Sequence, residues 1–289
     1  MTNHTLAIGD RTYSSWSLRG WLMFAKFEIP VTVRSARMKT PEFAQLLEEF
    51  GPAQTVPALR FGDVIVSDSL AMAETLAEAR PEIWPADPVA RGMARSMVAE
   101  MHSGFGALRE ACPMNLLRCY DNFEPDKDVT ADIERVILLW QQARDAFGSD
   151  GQWLFGQYSL ADVFYAPVAM RFATYRLPTT EIAAAYITAH LHDLHLRRWR
   201  AMGLAENYIR DYYDKDLPEL AWPGPKPLPA KILNGGVAIN QICPFSGKPV
   251  SSEGLVQVDG STLGFCNRFC RDKVASDPEA WPEAMALLS

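Results

Sequence analysis

Residues Thr5-Leu6-Ala7-Ile8-Gly9-Asp10, followed by Tyr13-Ser14-Ser15-Trp16-Ser17-Leu18-Arg19, decide how the rest of the chain is read. Thr5–Ile8 is a short apolar run stopped by a Gly-Asp turn, the signature of a strand. The helical stretch that follows runs from Leu18 to Phe27, so Ser14 and Ser15 lie at a helix N-terminus. Small hydroxyls there can donate to an anion held in the positive end of the helix dipole. The same hydroxyls can also simply cap the helix.

Working outward, Val31–Val33 reads as a second strand and Pro41 to Phe50 as a polar helix. Ala58–Leu59 and Val64–Val66 flank Gly62-Asp63, a hairpin dipeptide, and Ser69 to Ala79 reads as a helix. The order β-α-β-α-β-β-α predicts a small α/β domain over residues 1–83. From residue 88 to 217 the periodicity is helical throughout. Val89, Met93, Met97, Met101, Phe105 and Leu108 recur at helical steps, predicting one long helix. Ile133, Val136, Trp140, Ala143 and Phe147 predict a second helix. Ser159 and Asp162 form a capping box ahead of a third, and a fourth is predicted over 180–205. Residues 218–240 are a proline-rich linker, with Pro218, Pro223, Pro225, Pro227 and Pro229 enforcing an extended path. Residues 241–289 form a small cysteine-containing tail with strand-like runs at Leu255–Val258 and Thr262–Phe265.

Composition narrows the function. At 289 residues the chain suits two domains and an appendage. Its 48% hydrophobic and 22% charged residues are those of a globular protein. The net charge of −7 argues against nucleic-acid and anionic-membrane partners. The start of the chain shows no secretory signal, and no run of about 20 apolar residues is present. The odd count of 5 cysteines is no disulfide framework. A cytoplasmic protein is the expectation.

Two further features bear on the first segment. Val56-Pro57-Ala58 places a proline at a strand entry, where a cis bond turns the Val56 backbone N–H and C=O outward toward a peptide ligand. Asp68-Ser69 opens the next helix. There Ser69 can hold a carboxylate and Asp68 can accept from an ammonium group, or the pair can serve as a plain N-cap. In order and spacing, these three features resemble the glutathione transferase family, and Tyr13 to Arg19 is most similar to the Ser-type motif of its zeta class. Ser159-Leu160-Ala161-Asp162 resembles the family's capping box before a buried helix. The resemblance covers residues 1 to 215. Trp16 stands where the zeta motif has Cys, and Thr55 where the family usually has Lys or Gln.

The resemblance implies a thioredoxin-like N-terminal domain followed by an all-helical domain. It implies glutathione as co-substrate, a homodimer and a role in detoxification. Ser14 is then the catalytic hydroxyl that donates to the glutathione sulfur and favours its thiolate. Ser15 is a second donor, Val56 pairs with the cysteinyl backbone, and Asp68 and Ser69 hold the γ-glutamyl end. A small apolar electrophile is expected over Ser14, walled by Met101, His102, Phe105 and Met114. Because no cysteine precedes Cys112, thiol exchange at this site is chemically closed. The other readings of the chain are a non-catalytic adaptor on the same scaffold and a glutathione-dependent isomerase. His190, His192 and His195 do not share a helical face and read as part of a solvated basic helix with Arg197, Arg198 and Arg200.

In the tail, Cys266 and Cys270 are four residues apart, and Cys243 lies on a preceding turn. Together they suit zinc or another soft metal, with an acid such as Asp272 or a water as fourth ligand. The pattern resembles small treble-clef-like domains of the YHS or TRASH type, with Ser246 in the place of their second Cys. The alternative is a metal-free module held by Phe245, Phe265, Phe269 and Trp281.

Overall fold

The computed structural model describes residues 4–149 and 151–288. Its first sheet has the strand order β2-β1-β3-β4. Strand β1 (His4–Ile8) lies parallel to β2 (Val31–Ser35) and antiparallel to β3 (Ala58–Phe61). Strand β4 (Val64–Val66) closes the hairpin after Gly62, whose φ of +59° is the left-handed turn geometry that glycine adopts without steric cost. Helix α1 (Ser15–Lys26), α2 (Pro41–Glu48) and α3 (Ser69–Ala79) complete the thioredoxin-like layer. Each starts at a side chain that accepts from its first turn: Ser14, Thr40 and Asp68.

The helical part begins with α4 (Pro88–Ser103) and α5 (Gly106–Ala111). The single helix expected over residues 89–108 is therefore two. Gly104 and Phe105 interrupt it, Phe105 adopting a left-handed φ of 56°, and Val89, the first residue of the expected stripe, is 72% exposed. Helix α6 (Lys127–Phe147) buries the predicted Ile133, Val136, Trp140 and Ala143. Helix α7 (Leu160–Tyr175) is buried along its whole length. It follows the predicted capping box, in which Asp162 accepts from the Ser159 backbone at 2.8 Å.

The fourth predicted helix is likewise two, α8 (Glu181–His192) and α9 (Leu194–Ala205), separated by Asp193, which caps α9 through the N–H groups of His195 and Leu196. Two compact units emerge. One comprises residues up to Leu191 together with Tyr212–Pro223; the other comprises His192–Asp211 with Gly224–Ser289. In the second unit a three-stranded antiparallel sheet joins β5 (Ala230–Leu233), β6 (Leu255–Val258) and β7 (Ser261–Gly264). Strand β5 lies within the stretch expected to be linker: no proline falls between Pro229 and Pro244, so every residue of β5 can donate to the ladder. The turn between β6 and β7 is Asp259-Gly260, both at positive φ, as a two-residue hairpin requires.

Helices α10 (Arg268–Ser276) and α11 (Pro282–Met285) follow. Ala201, Leu194 and Met202 of α9 pack into the same core as Val256, Leu263, Phe265, Val274 and Trp281. Helix α9 is thus no solvated basic helix. Arg197 forms a bidentate pair with Asp277 at 2.9 and 2.7 Å, Arg198 reaches Glu283, and burial lowers the Arg200 pKa to about 10. Phe269 contributes less than expected, at 37% exposure. No helix among the described residues is long and apolar enough to cross a membrane.

Candidate functional site

The loop between β1 and α1 is locked from both ends. The Ser17 Oγ accepts from the Gly9 N–H at 3.0 Å, which ties the strand end to the first turn of α1. The Ser14 hydroxyl is turned onto the same residue: it donates to Ser17 Oγ at 2.8 Å and accepts from the Ser17 N–H at 3.2 Å. Asp10 accepts from the Met38 N–H at 3.1 Å, and Thr12 accepts from the Leu116 N–H. Ser14 and Ser15 are 6% and 8% exposed. Ser14 therefore performs the capping role, and both of its hydrogen-bonding directions are engaged.

Ser15 differs. Its Oγ accepts from Arg171 Nη2 at 3.4 Å, and among the described residues no acceptor takes its own proton. Val56 is half-buried and precedes a cis bond to Pro57. Its backbone makes no hydrogen bond among the described residues. Gly20 of α1 lies against that loop, since a Cβ there would come 2.7 Å from Pro57 Cβ. Only glycine lets α1 approach so closely.

At the start of α3, Asp68 Oδ1 accepts from Leu70 and Ala71 at 2.8 and 3.0 Å, so the cap reading holds for one oxygen. Its other oxygen is 3.2 Å from His102 Nε2. Ser69 is 1% exposed, and its Oγ has no hydrogen-bond partner. A buried hydroxyl left without a partner is costly, and a ligand acceptor at this helix N-terminus relieves the cost.

His102 joins the two helix starts, because its ring meets Trp16 edge-on at 5.2 Å. Around Trp16 the structure gathers three arginines. The Arg19 guanidinium stacks on the Trp16 ring at 3.7 Å and lies 5.2 Å from the Phe164 ring, with Nη1 3.7 Å from Met101 Sδ. It is 1% exposed, its Nε has no partner, and no carboxylate bonds it among the described residues. Arg109 lies 5.8 Å from the Trp16 ring. Arg171, inside α7, donates to the carbonyls of Cys112 and Pro167 at 2.9 and 3.1 Å and to Ser15.

Burial, then the charges of Arg171 and Arg109, depress the Arg19 pKa to about 9, with Asp68 opposing. Burial and Arg109 depress Arg171 to about 10. His102 is lowered by burial and by Arg19 and Arg109 against the pull of Asp68, so it is neutral at pH 7. Of the residues expected to wall an apolar pocket, Met101, Phe105 and Met114 are 2%, 7% and 1% exposed and serve as packing. His102 alone of that set keeps a partly open surface. Sequence reasoning assigned no role to Arg19, Arg109 or Arg171. A readable signal existed for Arg171, the one charged residue of α7 after its capping-box Asp162.

In the second unit the sulfurs of Cys243, Cys266 and Cys270 lie within 4.8 Å of one another. Asp272, the acid offered as a fourth ligand, bonds Arg271 at 2.6 Å instead. Burial opposes a Cys243 thiolate, yet bonds from the Cys266 and Phe245 backbone and from Ser246 bring its pKa to about 7.

Comparison with known proteins fits this geometry. Residues 13–79 match the family described as glutathione S-transferase, N-terminal domain. A search of curated protein sequences gave no significant match. Among solved structures, a glutathione transferase homologue from Burkholderia with bound glutathione is 19% identical, with a TM-score of 0.54 over 70% of this chain and 98% of that one. A homologue from Drosophila mojavensis, also with bound glutathione, is 17% identical, with a TM-score of 0.51 over 71% of this chain and 94% of that one. A trimeric glutathione transferase from Leishmania is 17% identical, with a TM-score of 0.56 over 75% of this chain and 49% of that one. At such identities the likeness speaks for the fold. The chain has the glutathione transferase fold, with a cysteine cluster near its C-terminus, and its residues 13–79 carry the sequence pattern of the glutathione S-transferase N-terminal domain.

Proposed function

We propose that the protein is a glutathione transferase that joins the glutathione thiolate to a small electrophile bearing an anionic group. The observation that carries this reading is convergence. Gly20 of α1 abuts Pro57, and Asp68 at the start of α3 reaches His102 beside Trp16 at the start of α1. These contacts support a single tripeptide site shared by the α1 hydroxyls, the Val56 backbone and the Asp68-Ser69 pair. Val56 pairs with the cysteinyl backbone. Ser69 Oγ takes the γ-glutamyl carboxylate, and the Asp68 oxygen facing His102 takes the ammonium group.

A free thiol with pKa near ~8.5 is only a few per cent ionised at pH 7, so a donor that lowers it by about two units makes the thiolate the main species. Ser15 is the hydroxyl with a proton to give, and Arg171 adds positive charge behind it. Ser14 supports the site by holding α1 in place. The thiolate sulfur then bonds the electrophilic carbon, and the leaving group departs with the electron pair. Arg19, Arg109 and Arg171 favour a carboxylate or similar anion on the electrophile over the wholly apolar molecule expected from sequence. The family resemblance of the sequence implies a homodimer, whereas the Leishmania neighbour is a trimer; light scattering distinguishes the two.

Ser15→Ala and Ser14→Ala test the assignment. For Ser15→Ala the expected result is glutathione affinity within threefold of wild type, a loss of the bound thiolate's ultraviolet absorbance, and a fall in kcat/KM of at least tenfold at neutral pH. Loss of the thiolate in Ser14→Ala alone transfers the donor role to Ser14; retention in both variants defeats hydroxyl activation. The burial of residues 10–15 favours a second reading, a scaffold without catalysis. Failure of the wild type to bind glutathione resin identifies that case.

A further inference from the structure

The three thiols of the second unit come from three different local structures. Cys243 opens a turn closed by the Gly247 N–H to the Cys243 carbonyl at 3.0 Å, with Gly247 at a φ of +67°. Cys266 follows the end of β7. Cys270 lies in the first turn of α10, where its N–H is held by the Asn267 side chain at 2.9 Å. No disulfide links them. The groups around the sulfurs are donors and cations. Ser246 Oγ and Asn267 Nδ2 lie 3.2 and 3.3 Å from Cys266 Sγ and donate to it.

Lys273 is 8% exposed, and its ammonium is clamped between the rings of Phe245 at 3.4 Å and Trp281 at 3.9 Å. Trp281 is itself fixed by its indole N–H on the Lys273 carbonyl at 3.1 Å. No carboxylate bonds Lys273 among the described residues. Its charge interacts with Cys270 and Cys243 first and then with Glu283, a carboxylate already bonded to Arg198. A buried ammonium needs a counter-charge; Glu283 is shared with Arg198, and neutral thiols add none.

We propose that Cys243, Cys266 and Cys270 hold one zinc-like soft metal ion as thiolates, that Lys273 is the charge partner of the metal–thiolate group, and that the fourth coordination position is open to an exogenous ligand. The charges close: three thiolates and a divalent ion leave one negative charge, which the ammonium neutralises. Tetrahedral coordination at about 2.3 Å per sulfur sets the sulfurs about 3.8 Å apart, so a cluster already within 4.8 Å closes by about 1 Å. Ser246 is an unsuitable fourth ligand, being a neutral hydroxyl that already donates to Cys266. Asp272 is held by Arg271. Three protein ligands and one open position are the arrangement of reactive rather than purely structural zinc sites. The inference is independent of the glutathione reading.

The test uses the full chain, stripped of metal and titrated with cobalt(II) as a spectroscopic probe, then with zinc in competition. One cobalt per chain with thiolate charge-transfer absorption is expected, displaced by zinc. Cys266→Ser, at a half-exposed position, is expected to weaken binding at least tenfold. Lys273→Met is expected to keep the stoichiometry and weaken affinity 10–100-fold, the usual range for a group one shell removed from the metal. Addition of a small thiol is expected to shift the cobalt d–d bands. Absence of cobalt binding in the wild type, or binding unchanged in Cys266→Ser, overturns the site. Unchanged affinity in Lys273→Met overturns the charge partner, and d–d bands insensitive to thiol overturn the open position. Trp281 fluorescence, compared among the metal-free proteins, confirms that each variant retains its fold.

Discussion

Replacing Arg19 by methionine is expected to make the protein more stable while removing its affinity for an anionic electrophile. The guanidinium is 1% exposed and has no carboxylate partner among the described residues. Its pKa falls from 12.5 to about 9, and at 1.36 kcal/mol per unit this corresponds to roughly 5 kcal/mol of unfavourable burial and repulsion from Arg171 and Arg109 together. Stacking on Trp16 at 3.7 Å, with Phe164 further off, returns about 2 kcal/mol. The net gain on removing the charge is therefore about 1–4 kcal/mol, the range seen when buried ions are replaced by apolar residues of similar length.

Urea denaturation at pH 7 measures it, and the corresponding rise in Tm is roughly 2–4 °C per kcal/mol for a unit of this size. The pH dependence has a definite sign. Between about 9 and 12.5 the folded state binds fewer protons at Arg19 than the unfolded state, so this residue makes the wild type gain stability as pH rises through 9. The advantage of Arg19→Met is largest below pH 9 and shrinks above it. A variant destabilised by more than 1 kcal/mol at pH 7 would refute the reasoning, because the guanidinium would then be a structural asset rather than a charge awaiting a counter-ion.

Asp162→Ala leaves the Leu154 and Ser159 N–H groups and the Tyr186 hydroxyl buried without their acceptor. At about 1–3 kcal/mol each, a loss of roughly 3–9 kcal/mol is expected in chemical denaturation. Burial raises the Asp162 pKa to about 6, so its contribution to stability is fully present below pH 4 and is lost as pH rises through 6. Stability of the wild type relative to Asp162→Asn is accordingly expected to fall over that window. Gly20→Ala forces a methyl group against Pro57. A cost of about 1–3 kcal/mol and a weaker grip on glutathione are expected, read by calorimetry of the bound tripeptide. Asp277→Ala removes the bidentate partner of Arg197, whose side chain is 17% exposed, and leaves Glu279 at 3.8 Å as its remaining carboxylate; a loss of about 1–3 kcal/mol in the second unit is expected, read by tryptophan fluorescence on unfolding.

The sequence carried the elements of the first domain to within a few residues, because alternation, the Gly62-Asp63 turn and the caps at Ser14 and Asp68 are all local signals. The capping box at Ser159 and Asp162 was legible for the same reason. What was not legible depended on contacts distant in sequence. The break at Gly104-Phe105 interrupts an apolar stripe that keeps its helical spacing on both sides, whereas the break at Asp193 is a local cap that the sequence reading passed over. The apolar wall read from Met101, Phe105 and Met114 identified residues that are apolar but not that they are buried under others. The arginine cluster brings together residues 19, 109 and 171 from three helices, and no spacing rule connects them. Lys273 likewise gains its meaning from Phe245 and Trp281, which close on it from either side.

Helix α9 has a consequence for how the protein is made. Its apolar side, with Leu194 and Ala201, packs into a core whose members from outside the helix lie between Ala230 and Leu288. During synthesis it leaves the ribosome long before that cover exists, and the intervening residues 212–223 belong to the other unit. The second unit therefore cannot finish folding until the last segment of the chain has been translated. Any premature stop after the proline run releases a protein with a greasy helix uncovered, a substrate for chaperones rather than a shorter enzyme.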